Sequence, residues 1–180
     1  SEDSLYFREV YSKEENRWFD LHSTRINWVD GRKVLLCTIY DVTDKKLYQQ
    51  KIERQANNDF LTGLYNRMRC EQDLERYIRQ TKEFGGEGAL LYIDLDDFKL
   101  FNELYGEECG DRILKWCGHI IENTVGCQGE TFRFGSNEYV VLINSGEKRE
   151  VSLIAQKIQK NFLIEDKEKP DVLQPVTASI

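Results

Sequence analysis

The chain is expected to fold as an α+β protein, with a central, mostly antiparallel sheet flanked by helices. Three observations predict this. Residues 5–42 hold three runs rich in Tyr, Trp, Val, Ile and Thr. The segments 67–84, 110–125 and 150–163 repeat apolar residues at helical spacing. Between them lie a continuous apolar run, "GALLYIDLD" (88–96), and an apolar hairpin over 130–143.

The first three strands are "SLYFREVY", "RWFDLHSTRINWV" and "KVLLCTIYDV", the last two separated by Asp30-Gly31, a strong hairpin signal. A three-stranded sheet is marginal alone, so this segment reads as the tail of a larger domain. Residues 43–58, "TDKKLYQQKIERQANN", are polar and lack Gly and Pro. Thr43 or Asp44 can cap them, and Leu47, Ile52 and Ala56 are too sparse for a coiled coil, so an exposed connecting helix is expected, paired with its copy in a homodimer. The helix over 67–84 carries Leu74, Tyr77, Ile78 and Thr81 on one face. "GALLYIDLD" reads as a strand buried on both faces and ending in acids. The helix over 110–125 presents Ile113, Leu114, Cys117, Ile120 and Ile121, and that over 150–163 presents Val151, Ile154, Ala155, Ile158 and Phe162. "EDKEKPDVLQP" reads as a loop and "VTASI" as a strand.

Composition narrows the function classes. The 180 residues are 40% hydrophobic and 32% charged, as in a globular protein. A net charge of -7 argues against nucleic acid as a partner but leaves room for a small nucleotide held with magnesium. Five cysteines without a CxxC spacing read as reduced thiols in a cytoplasmic protein, mostly core filler. His22 and His119 are too far apart in sequence to suggest a zinc site. No apolar run reaches membrane-spanning length, which leaves open a membrane-anchored parent.

The chemistry concentrates in two places. Asp94, Asp96 and Asp97 crowd the end of the 88–96 strand, where converging carboxylates would attract magnesium. An EF-hand loop fits poorly, because "DLDDFKLFNELY" has Lys99 where that loop requires Gly. The alternative is a set of strand-end acids facing solvent. The hairpin "RFGSNEY" (133–139) places Glu138 at its tip, either a ligand site or an ordinary solvated turn. Lys99, Asn102 and Asp111 are, one by one, surface residues or helix caps, with Asp111 opening the 110–125 helix as its N-terminal acid.

Taken together, these stretches resemble the diguanylate cyclase (GGDEF) family. "DLDDFKLFNELYGEECGD" follows that family's D-x-D-x-F-K-x-x-N-D-x-Y-G-x-x-x-G-D pattern, and "DFLTGLYNR" (59–67) its opening D-x-L-T-G-L-x-N-R. "RFGSNEY" aligns with R-Y-G-G-D-E-F, and "VTASI" with V-T-x-S-I-G. The resemblance covers 59–180. "DVTDKK" (41–46) resembles the closing phrase of a PAS sensor domain. The implied organisation is the C-terminal part of a PAS-like domain over 1–43, a connecting helix over 44–58 and a GGDEF-like domain over 59–180, truncated at its C-terminus.

The resemblance implies cyclic di-GMP synthesis from two GTP molecules at the interface of two such domains. It implies that Asp94, the backbone carbonyl of Leu95 and Glu138 hold Mg2+, that Lys99 meets phosphate, and that Asn102 and Asp111 read the guanine edge. Glu138 would also be the catalytic carboxylate that helps activate the attacking hydroxyl. Five departures stand against this. Asn137 replaces a metal-binding carboxylate, and Ser136 a glycine that allows close backbone approach or positive φ. Glu107 replaces a histidine, Glu103 an aspartate, and "GCQG" (126–129) stands where the R-x-x-D product-inhibition motif would be. The resulting expectation is a catalytically degenerate signalling module that binds GTP or transmits a signal to partner domains. The alternatives are a working diguanylate cyclase and a structural dimerisation module without nucleotide.

Overall fold

The structure is a computed structural model that describes residues 6–144, 146–164, 169, 170, 172 and 175–180. It divides into two compact units, residues 1–56 and 57–180.

The first unit is a three-stranded antiparallel meander of β1 (Tyr6–Ser12), β2 (Arg17–Asn27) and β3 (Lys33–Asp41), followed by the helix α1 (Thr43–Asn57). The Asp30-Gly31 turn forms as the sequence indicates, with Gly31 at φ 82° and its N–H donating to the Trp28 carbonyl. Asp41 starts α1, its Oδ1 accepting the Thr43 N–H at 3.0 Å, while Thr43 Oγ1 accepts from the Trp18 N–H. None of the described residues in this unit is buried, and Phe7, Tyr11, Leu35, Leu36, Ile39 and Tyr40 all stand exposed. A sheet with so much uncovered apolar surface lacks a core of its own.

The second unit opens with α2 (Arg67–Phe84), capped by the Asn66 side chain, which accepts from the Arg69 N–H. Then come β4 (Ala89–Leu95), α3 (Phe98–Tyr105), α4 (Glu107–Val125), β5 (Gly129–Arg133), β6 (Glu138–Ile143), α5 (Lys148–Phe162) and β7 (Ala178–Ser179). The sheet order is β5-β6-β4-β7, antiparallel throughout, so the α+β expectation holds.

Alternation on the strands sorts the core into two layers. Ile93 and Leu95 of β4 and Tyr139, Val141 and Ile143 of β6 pack against Ile113, Cys117 and Ile121 of α4 and Ile154, Ile158 and Phe162 of α5. The buried Tyr139 hydroxyl donates to the Leu114 carbonyl at 2.8 Å, which satisfies its polar atom. On the opposite face, Phe132, Val140 and Leu142 pack against Cys70 and Leu74 of α2.

That second layer corrects one expectation. β4 is not buried on both faces, because Leu90 and Tyr92, which share a face with Val140 and Leu142, are each 43% exposed. Helix α2 packs on Phe132, Val140 and Leu142 and leaves Leu90 and Tyr92 partly uncovered. A second correction concerns 98–125. The sequence indicated one helix from 110, whereas α3 occupies 98–105 and α4 starts at Glu107. Gly106, at φ 83°, breaks the two helices apart. The "EDKEKPDVLQP" loop falls largely outside the described residues. Of the five cysteines, Cys70, Cys109 and Cys117 are buried, and burial pushes the Cys70 thiol up to about 11, consistent with an inert filler.

One ion pair ties the N-terminal turn of this unit to the hairpin. Asp59 Oδ1 accepts from the Thr62 N–H (2.8 Å), the Thr62 hydroxyl (2.7 Å) and Arg133 Nη1 (3.0 Å). The Tyr65 carbonyl also accepts the Arg133 N–H, at 2.8 Å. Burial pushes the Asp59 carboxyl up, but the hydrogen bonds from Thr62 and Arg133 outweigh it and hold the group below its ordinary value of 3.8. A carboxylate with a lowered folded-state pKa stabilises the fold above its unfolded pKa, and that contribution disappears as pH falls through the folded value. Asp59→Asn should therefore cost about 1–3 kcal/mol at pH 7. In chemical denaturation followed as a function of pH, the gap to the natural chain should narrow as pH falls below 3.8.

Candidate functional site

The antiparallel register places Asp94 directly opposite Glu138, so both carboxylates leave the same face of the sheet. The loop between β5 and β6 is four residues long, Phe134 to Asn137, and closes by N–H donation from Phe134 and Gly135 to the Glu138 carbonyl. The Leu95 N–H donates to the Asn137 carbonyl at 3.0 Å, which carries the β4–β6 ladder one residue beyond β6. This backbone bond holds the Asn137 side chain at the end of β4.

There the amide makes three contacts. Its Nδ2 donates to Asp94 Oδ1 at 3.3 Å and to the Leu95 carbonyl at 3.1 Å. Its Oδ1 accepts from the Ser136 hydroxyl at 3.0 Å. Glu138 turns away from this pair. Its Oε1 accepts from the Tyr92 hydroxyl at 2.5 Å, and its Oε2 lies over Gly135, where a Cβ would overlap it. Tyr92 in turn stacks edge-on against Phe134, with ring centres 5.9 Å apart, and the Arg67 guanidinium lies 4.7 Å above the Phe134 ring.

The three acids at the end of β4 do not converge as the sequence suggested. Asp94 meets Asn137, Asp96 accepts from the Ser179 hydroxyl at 2.8 Å, and Asp97 sits in the left-handed region (φ 52°) ahead of α3. Among the described residues no group of three or more His, Cys, Asp or Glu side chains could hold a metal ion. The atoms implied as magnesium ligands, Asp94, the Leu95 carbonyl and Glu138, are present. The first two face the N–H groups of an amide and the third a phenol O–H. A cation requires acceptors pointing inward, so in this arrangement the donor set does not fit one.

The remaining expected residues lie on α3 and α4. Lys99 is exposed in the first turn of α3. Asn102 packs onto Gly110, where any Cβ would overlap its Oδ1, and that Oδ1 is buried without a hydrogen-bond partner. Asp111 is exposed and sits one turn inside α4, so it does not open the helix as expected. Ser136 also departs from expectation. Among the described non-glycine residues only Asn16 and Asp97 take positive φ, so this position tolerates a side chain without backbone strain.

A cavity of about 400 Å³ lies beside the hairpin, lined by Asp59, Asn66, Arg67, Asp111, Arg133 and Gly135, among others. Arg133 crosses between the opening turn and the hairpin tip, where its Nη2 donates to the Ser136 carbonyl at 2.9 Å. Neither Arg133 nor Tyr92 was singled out from sequence. Tyr92 could have been found from the alternation Leu90, Tyr92, Asp94, which aims it along the same face as Glu138.

The fold around this hairpin is that of diguanylate cyclase domains. The coiled coil and GGDEF domain of DgcB from Caulobacter crescentus, solved in complex with c-di-GMP, superposes with a TM-score of 0.70 at 22% identity, covering 77% of this chain and 74% of that one. Residues 56–180 match the profile of the diguanylate cyclase GGDEF domain, and the chain belongs to that family. It is 37% identical over 109 residues to diguanylate cyclase DgcS of Shewanella oneidensis, covering 61% of this chain and 36% of DgcS. It is 34% identical over 113 residues to diguanylate cyclase DgcM of Escherichia coli, covering 63% of this chain and 28% of DgcM. The chain thus spans about a third of the length of these relatives.

The Tyr92–Glu138 contact can be read directly. The hydrogen bond to the carboxylate raises the Tyr92 phenol above its ordinary value of 10.0, because the neutral phenol is the form that donates. Gly135→Ala should push the Glu138 carboxylate off the hairpin, and the Tyr92 titration followed by NMR should then fall back toward 10.0.

Proposed function

We propose that this chain is a GGDEF module of cyclic di-GMP signalling that holds a guanine nucleotide without turning it over. The observation that carries the reading is Asn102, whose Oδ1 is buried and unpartnered beside Gly110, one residue from Asp111. A buried acceptor left open costs stability unless a ligand supplies the donor. Guanine offers two adjacent donors on its Watson–Crick edge, its ring N1–H and its exocyclic amine, and the acceptors Asn102 Oδ1 and Asp111 suit that edge. Adenine offers only one donor there. Lys99, exposed one turn earlier on α3, supplies a positive charge for phosphate.

Loss of turnover rests on the other half. A charge-neutral amide stands at 137, donating to Asp94, where the family places a metal-binding carboxylate. Magnesium and Glu138 would together activate a 3′-hydroxyl, and among the described residues no group of three or more His, Cys, Asp or Glu side chains gathers to hold that metal. The relatives' names support the pathway, with DgcS and DgcM both called diguanylate cyclases.

The rest of the organisation belongs to the same proposal. Residues 1–43 are the closing strands of a PAS-like sensor domain, 44–58 a connecting helix and 59–180 the GGDEF-like domain. The module works in the cytoplasm, as a homodimer, within a longer protein that carries its partner domains. No helix among the described residues is long and apolar enough to cross a membrane.

Two measurements test this reading. Incubation with GTP and Mg2+ should yield no cyclic di-GMP, and product at roughly one turnover per second would instead favour a working cyclase. Calorimetric titration should show GTP bound more tightly than ATP by roughly tenfold or more, since the wrong base leaves polar groups unpaired. Asp111→Ala should erase that preference. Equal affinity for the two nucleotides in the natural chain would overturn the guanine reading, and binding of neither would leave the structural-module reading.

A further inference from the structure

We infer that Asn137 is a built-in replacement for the divalent cation, so that the acidic end of this site is closed by its own amide and the chain works without a metal. The inference rests on the family reading for the location of the metal site and on the hydrogen bonds for the rest.

The Asn137 amide is placed by its neighbours. The carboxylate of Asp94 and the carbonyl of Leu95 flank its outer end, both acceptors. An amide oxygen turned toward them would meet two other oxygens, so the NH2 end must face them. The opposite end agrees, because the Ser136 hydroxyl supplies a donor for Oδ1. Each N–H of the amide therefore has one acceptor, and these are two of the three acceptors implied as metal ligands. The third, Glu138, already accepts from the Tyr92 hydroxyl. Three ligand positions are thus matched by three N–H or O–H donors, all from neutral side chains.

The arrangement also accounts for the pairing of substitutions in the hairpin. A carboxylate at 137 would face Asp94 with like charge and would require a cation to hold the hairpin in place. An amide at 137 removes that requirement but needs a partner for its oxygen. Ser136, where the family has glycine, provides one. The two departures thus form one unit, in which Ser136 orients the amide and the amide bridges β4. The Leu95 N–H to Asn137 carbonyl bond places the bridge at the point where β4 leaves the sheet.

The consequence is a site whose geometry is set before any ligand arrives and does not respond to Mg2+. The triphosphate end of a bound nucleotide would meet Lys99 and backbone N–H groups, with no metal held between it and the protein.

The test uses the full chain and three readouts. Mn2+ binding is followed by paramagnetic resonance. Thermal unfolding is followed in EDTA and in excess Mg2+. GTP binding is followed under the same two conditions. The natural chain should show no bound Mn2+ and the same unfolding midpoint with and without Mg2+. Asn137→Ala should lower the midpoint by about 2–4 °C per kcal/mol of bridge lost, with no rescue by Mg2+. Asn137→Asp should be less stable than the natural chain in EDTA and recover with Mg2+, because a ligand that binds only the folded state raises its stability. It should take up one Mn2+ where the natural chain takes up none.

A natural chain that takes up one Mn2+, and loses it on Asp94→Asn, would overturn the inference. So would an Asn137→Ala variant as stable as the natural chain, an outcome that decides the matter even if Asn137→Asp fails to fold. Equal GTP affinity in EDTA and Mg2+ supports the inference. GTP binding that requires Mg2+ overturns it while leaving the guanine reading intact. Absence of GTP binding in both conditions overturns the guanine reading instead, and the Mn2+ and unfolding results still decide the role of Asn137.

Discussion

The antiparallel register that sets Asp94 against Glu138 governs everything at the candidate site. A slip of one residue would turn every side chain of β4 to the other face, sending Ile93 and Leu95 into solvent and Asp94 into the core. The large buried residues therefore enforce the polar geometry. Ile93, Leu95, Tyr139 and Val141 are all at or below 2% exposure, and their packing against α4 and α5 leaves one register available. The acids inherit their positions from a core they do not belong to.

From that register follow two different fates for the two faces. The face toward α4 and α5 is closed and almost wholly apolar. The other carries Asp94, Tyr92 and Glu138 beside a smaller cluster of Cys70, Phe132, Val140 and Leu142. Because α2 leaves it partly uncovered, Tyr92 remains half exposed and orients its hydroxyl toward Glu138. Arg133 performs a similar service at the other edge, joining Asp59 to the Ser136 carbonyl with one guanidinium. A planar group with several fixed donors is well suited to hold two loops at a set distance.

Much of the fold was legible in the sequence, and the parts that were not share a cause. The strands β1 to β3 and the helices α2 and α5 declared themselves by period and by turn residues such as Asp30-Gly31. The helix α3 did not, because its eight residues follow directly on the acids of β4 and only Gly106 parts it from α4. Asp111 was misplaced for the same reason. The apparent burial of β4 on both faces was a misreading of an apolar run whose alternate residues, Leu90 and Tyr92, are only partly covered. At the site, the residue types were readable but not their bonds. Nothing in the order Gly-Ser-Asn-Glu reveals that the amide faces Asp94 while the acid faces Tyr92.

That difference between residue type and bond is what turns a list of departures into a physical account. Read singly, Asn137 is a neutral amide and Ser136 a small hydroxyl side chain. In place, the serine hydroxyl and the Asp94 carboxylate satisfy opposite ends of one amide, and the Leu95 carbonyl takes its second N–H. Every polar atom of that side chain is used. Without those donors the acids of the hairpin and β4 would face one another unpaired, at the cost of like-charge repulsion. Here Asp94 and Glu138 are each met by a separate neutral donor. The geometry is that of a site with its own internal closure, in which the carboxylates serve to anchor the hairpin to β4.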